Sequence, residues 1–154
     1  MADLKDRLRG DLTAAMKARD EVRTRTLRMA LTSVSKEEVA GAAARELSDD
    51  DVMKVLTKEA KRRREAAEAF AAAGRDEQAA AERAEGEILA GYLPAELTDD
   101  EIAALVAAAI AEAGATGMAA MGRVMKAVTS QVAGRADGAR VAAEVRRRLA
   151  APPL

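Results

Sequence analysis

The chain is expected to be all-α, with an N-terminal four-helix domain built on a long helical hairpin and a C-terminal three-helix bundle. Three observations point there. Every apolar pattern has helical period, and no segment alternates like a strand. Apolar residues make up 49% of the 154, much of it alanine, which favours helix strongly and buries little surface. Helix-start and helix-stop chemistry also recurs at the ends of the periodic stretches.

A first helix is expected from about Asp3 to Ala18, with Leu4, Leu8, Leu12 and Met16 as its apolar stripe and Asp3 and Asp6 near the favourable end of the dipole. Arg19-Asp20 makes a short break. A second helix runs from about Glu21, with Val22, Met29, Ala30 and Val34 on one side and Leu27 and Leu31 widening that face, and fades by Gly41. Ser48 is a good N-cap for a third helix, and Asp49, Asp50 and Asp51 load its first turn. Val52, Val55, Leu56, Ala60, Ala67 and Phe70 carry it toward Ala73. Gly74 fits a C-terminal cap. Asp76 starts a fourth helix bearing Ala84, Ile88 and Tyr92, which pairs with the third as an antiparallel hairpin.

Gly91-Tyr92-Leu93-Pro94 breaks the pattern, because proline cannot continue a helix. The expected division is a domain over residues 1–93, a linker over 94–97, a three-helix domain over 98–150 and a frayed end over 151–154. Thr98 and Glu101 match a capping box. The fifth helix uses Ile102, Leu105, Val106 and Ile110 and stops near Gly114. The sixth spaces Met118, Met121, Met125 and Val128 at threes and fours, a stripe read as core filler. Asp137-Gly138 signals a turn before a seventh helix with Val141, Val145 and Leu149 on one side.

Composition removes several function classes. The chain has no cysteine and no histidine, so zinc sites built on sulfur or imidazole are excluded, as are Cys/His and Ser/His/Asp nucleophile systems. No cofactor and no metal are expected. Phe70 and Tyr92 are the only aromatics, which argues against single-strand RNA modules that stack bases on several rings. No apolar run approaches the ~20 residues needed to span a bilayer, and the N-terminus lacks a secretion pattern. The expected compartment is the cytoplasm, without membrane attachment.

The net charge of −1 hides a polarised distribution. Residues 46–96 carry 8 basic and 13 acidic side chains, whereas residues 118–154 carry 7 basic and 2 acidic. Such asymmetry marks where an anionic partner would dock. In the basic segment, Arg123 and Lys126 lie three apart on the sixth helix and face the same way. Arg135 and Asp137 lie between Gly134 and Gly138, where backbone can approach a phosphate closely. Arg135 has no evident structural task in the sequence, whereas Asp137 is expected to cap the seventh helix. Arg140 and Arg147 complete the candidate RNA-binding set of Arg123, Lys126, Gly134, Arg135, Arg140 and Arg147. The other basic cluster, Lys61 to Arg64, is read as a salt-bridged face, pairing Lys61 with Glu65 and Arg64 with Glu68.

Five pieces of the chain, taken in order, resemble the GatB/YqeY family. They are Ala15-Met16-Lys17-Ala18-Arg19-Asp20, Leu27-Arg28-Met29, and the run from Lys58 to Ala66, then Tyr92-Leu93-Pro94, and last Met121-Gly122-Arg123-Val124-Met125 with Gly134-Arg135-Ala136-Asp137-Gly138. The family comprises stand-alone YqeY-like proteins and the tail of the GatB component of the glutamine-dependent aminoacyl-tRNA amidotransferase. Two positions depart from its pattern: Ala120 stands where many relatives carry Asp, and Glu96 where many carry Gln. The resemblance implies a helical N-terminal domain, a three-helix C-terminal domain that contacts the body of a tRNA, and an association with carbon–nitrogen ligase activity using glutamine as amido donor. No complete active site is visible, so no catalytic residue is nominated and autonomous catalysis is not expected. The leading expectation is an accessory tRNA-binding protein that reads backbone shape and charge, with no role for DNA. The alternative is a protein–protein adaptor that docks on an aminoacyl-tRNA synthetase or amidotransferase through the acidic hairpin.

Overall fold

The computed structural model describes residues 3–132 and 134–150. Among these residues the protein is all-helical. Its helices are α1 (Asp3–Lys17), α2 (Glu21–Glu38), α3 (Asp49–Ala72), α4 (Asp76–Ala90), α5 (Asp99–Ala113), α6 (Met121–Val132) and α7 (Gly138–Ala150), with one 3-10 turn at Met118–Ala120. The chain divides into two compact units, Met1–Pro94 and Ala95–Leu154.

The helix ends follow local chemistry. Asp20, Ser48 and Thr98 each accept a hydrogen bond from the backbone N–H three residues on, which satisfies a donor the first turn cannot. Three C-termini close with the same pair of bonds. Arg75 N–H bonds Phe70 C=O, Ala115 N–H bonds Ile110 C=O and Asp20 N–H bonds Ala15 C=O; each is accompanied by a shorter-range bond from the residue before. That closure needs a left-handed residue at its centre. Gly74 (φ 75°) and Gly114 (φ 58°) provide it at two of them, and Arg19 (φ 56°) at the third. A residue with a Cβ is less stable there than glycine by about 1 kcal/mol.

In the N-terminal unit, α3 and α4 form the expected antiparallel hairpin, α1 lies along α2, and α2 packs on both hairpin helices. Leu4, Leu8, Leu27, Val34, Leu47, Val52, Leu56 and Leu89 are buried at its centre. The expected α1 stripe is only partly right. Ala15 is buried and Met16 is 49% exposed. A row of residues four apart winds about 40° per step, so by Met16 it has left the core, while Ala15 comes back into line with Leu4 and Leu8. On α2, Val22 and Met29 are likewise partly exposed, and Thr26 is buried in their place. Both lie a quarter turn or more round the helix from the Leu27–Val34 line. The Thr26 hydroxyl donates to Val22 C=O at 2.8 Å, which lets a polar side chain sit inside.

Ionic contacts join α2, α3 and α4. Glu59 and Glu85 are buried. The Arg63 guanidinium reaches Glu82 at 3.2 Å, Glu85 at 3.4 Å and Glu59 at 3.7 Å. Arg25 closes on Glu85 from α2 at 3.0 Å, and Ser33 and Arg62 each donate to Glu59 at 3.1 Å. Of the expected salt-bridged face around Lys61–Arg64, the Lys61–Glu65 pair is present at 3.9 Å, while Arg62 pairs with Glu59 inside α3 and Arg63 turns toward α4.

Tyr92 ends this unit. Its ring is buried under the Arg7 guanidinium, 4.6 Å from the ring centre, and its hydroxyl donates to Asp11. Burial, then the Asp11 carboxylate, pushes the phenol up to about 12.

The C-terminal unit packs α5, α6 and α7 around Ile102, Val106, Val124, Val128, Val132, Val141, Val145 and Leu149. Here the methionine stripe needs correction. The buried line of α6 is Val124, Val128 and Val132; Met121 and Met125 flank it, and Met118 is 48% exposed. The 3-10 turn breaks the helical register before Met121, so Met118 never shares the α6 face.

Candidate nucleic-acid interface

Helix α6 contains no acidic residue. With Val124, Val128 and Val132 turned inward, the 100° step places Gly122, Arg123, Lys126, Thr129 and Ser130 on the opposite side, and all five are exposed. Neither the Arg123 nor the Lys126 side chain has a hydrogen bond or ion pair among the described residues. Gly122 faces open space, with no atom within 4 Å of where a Cβ would stand. The backbone of this turn is thus uncovered beside two free cations. Phosphate oxygens could approach to hydrogen-bonding distance of both side chains.

The other nominated residues are not free. Gly134 takes a left-handed turn (φ 80°). Arg135, next to it, ties two stretches of loop together. Its Nε donates to Ala95 C=O at 3.1 Å, and its own carbonyl accepts from Leu97 N–H at 2.8 Å. The expectation that Arg135 has no structural task is therefore wrong: it fastens residues 95–97 to the loop after α6. Arg140 does related work from α7. Its Nη2 donates to Leu97 C=O at 3.2 Å and to Asp99 at 2.6 Å, and the Asp99 carboxylate raises the Arg140 guanidinium further above its usual range. Asp137 accepts from Ala139 N–H at 3.1 Å, as expected of a residue capping α7.

Arg147 is exposed but bound to Glu144 by two bonds of 2.7 and 3.0 Å, and Arg148 meets the same carboxylate at 2.7 Å. Hydrogen bonds from Arg147 and then Arg148 hold the Glu144 carboxyl down at about 2. Of the six nominated residues, only Arg123 and Lys126 present a charge that the fold leaves uncommitted. The sequence places all six on one segment. It does not reveal which are spent internally, since the partners of Arg135 and Arg140, Ala95, Leu97 and Asp99, lie about 40 residues away.

The model of the YqeY-like protein family matches residues 5–149. The chain belongs to that family. No curated protein matches this YqeY-like protein. Among its described residues no single helix is long and apolar enough to cross a membrane. The α5 and α6 segments pass that test only as a pair bent by 98°, and both contribute to the buried core.

Proposed function

We propose that this YqeY-like protein is an accessory tRNA-binding protein, and that its C-terminal unit lays the outer face of α6 against the phosphate backbone. One observation carries the reading: an acid-free helix face with two uncommitted cations, Arg123 and Lys126, beside a glycine that covers nothing. Such a face attracts phosphates without reading base edges, and the scarcity of aromatic rings fits backbone contact better than base stacking. The adaptor reading, which rests on the acidic balance of the hairpin, draws less support, because three of the hairpin carboxylates, Glu59, Glu82 and Glu85, are engaged by Arg63.

The test is a salt titration of tRNA binding. Arg123→Ala and Lys126→Ala each remove one phosphate contact, so each flattens the log–log salt slope by about 0.7 to 0.9 and weakens different tRNAs equally. Arg135→Ala and Arg140→Ala instead lower the stability of the C-terminal unit. An unchanged slope for both α6 variants overturns the reading. The chain alone, given glutamine, ATP, magnesium and misacylated tRNA, is expected to form no amidated product.

A further inference from the structure

The corner between α1 and α2 holds the one non-glycine residue with positive φ among the described residues, Arg19. Its position is the centre of the same helix closure that Gly74 and Gly114 complete elsewhere. Glycine would serve the backbone better there. The side chain gives no polar contact back within the chain: Arg19 is exposed and its guanidinium has no hydrogen bond or ion pair. Complementing the dipole at the end of α1 does not require it, since Lys17 already occupies the last helical position in ordinary geometry.

Two further cations share the corner. Lys17 is exposed and unpaired. Arg28, two turns into α2, reaches back so that its Nη2 lies 3.7 Å from the Met16 sulfur, with no carboxylate on it. That contact brings together two stretches that are separate along the chain, Ala15–Asp20 and Leu27–Met29. The adjoining carboxylate, Asp20, is occupied by the first turn of α2, where it accepts from Arg23 N–H at 3.1 Å.

We infer that this corner, with Arg19, Lys17 and Arg28 as its donors, is a second contact surface for an RNA phosphate backbone, borne by the N-terminal unit. A side chain that destabilises its own turn and forms no polar contact inside the fold has its use outside it. Three unneutralised donors on one exposed corner suit successive phosphates. The inference stands on N-terminal residues only, so it succeeds or fails separately from the α6 face.

The experiment uses the full chain and deacylated bulk tRNA, with binding followed by fluorescence anisotropy across a salt series. Arg19→Gly gives opposite signs to two readouts. The melting temperature stays the same or rises, because the turn is relieved. Affinity falls on the order of fivefold near 0.1 M salt, and the salt slope flattens by about 0.7 to 0.9. Arg19→Lys keeps the charge and most of the binding. Lys17→Gln and Arg28→Gln behave like Arg19→Gly in binding, while Lys54→Gln, an exposed cation on α3, leaves the slope unchanged. Unaltered affinity in Arg19→Gly overturns the inference even if Arg123→Ala weakens binding. So does an equal effect of Lys54→Gln, or a wild-type protein that binds no RNA.

Discussion

The two units use charge in opposite ways. The N-terminal unit turns charge inward: Glu59 and Glu85 are buried, and Arg63 lies between them and Glu82 where α3 and α4 pack. The C-terminal unit has a core of valine, alanine, isoleucine and leucine. Ion pairs on Asp99 and Glu144 lie at its rim, and Arg123 and Lys126 are left to solvent. A long hairpin rich in alanine has little apolar volume with which to fix its register. An ionic cluster with defined donors and acceptors can fix it instead, at the cost of desolvation. The short bundle needs no such device, because branched residues fill its centre.

The largest expected effect tests the inward half of that contrast. Arg63→Ala leaves Glu59 and Glu85 buried with fewer donors and should cost about 3 kcal/mol, since removing one partner of a buried pair strands the other. Urea unfolding measures it. A loss below about 1 kcal/mol would place the cluster with ordinary surface pairs and dissolve the distinction between the units.

Tyr92 offers a smaller effect in the same unit. Tyr92→Phe removes the hydroxyl that donates to Asp11 and should cost about 1 kcal/mol. The folded phenol ionises at about 12, above the usual 10. Its contribution is therefore complete below pH 10 and is lost as pH rises from 10 through 12. Stability measured over that range should decline less steeply in Tyr92→Phe than in the wild type.

In the C-terminal unit, Glu144→Gln should strengthen tRNA binding about twofold to fivefold and steepen its salt slope, because Arg147 and Arg148 are released. Weaker binding in this variant would mean that the pairs position the arginines rather than occupy them. The Glu144 carboxyl sits at about 2, below its usual 4.5. Its stabilising effect is thus present above about pH 4.5 and disappears as pH falls toward 2. The acid limb of the C-terminal unfolding curve should shift accordingly in Glu144→Gln.

The smallest effect compares two exposed glycines inside helices, Gly10 in α1 and Gly122 in α6, each facing open space. Alanine at either position should stabilise by roughly 0.5 to 1 kcal/mol. Gly10→Ala should leave tRNA binding as it is, whereas Gly122→Ala should weaken it by crowding the approach to Arg123 and Lys126. Equal behaviour in binding would remove the argument that backbone comes close at α6.

Much of the fold can be read along the chain. Seven helices, their caps at Ser48 and Thr98, and their stops at Gly74 and Gly114 all follow from interactions within five residues, and the described residues have them. Local periodicity also finds Val141, Val145 and Leu149. It errs where a pattern is wider than the face that packs, as at Met16, Val22, Met29 and Met118. Which edge of a broad apolar stripe turns inward depends on the neighbouring helices, and a single helix holds no record of them.

The candidate site divides along the same line. The sequence by itself determined the helices, the basic character of residues 118–154, and the placement of Arg123 and Lys126 on one side of one helix, because charge and helical spacing are local properties. Only the tertiary structure decided which cations remain available. Arg140 meets Asp99 across 41 residues, Arg135 meets Ala95 across 40, and Arg25 meets Glu85 across 60. Pairing strength depends on distance in space and on loss of water, and both are fixed when helices dock. The strained turn at Arg19 belongs to the same class: a short break is visible in Arg19-Asp20, but its left-handed backbone appears only where α1 closes and α2 begins.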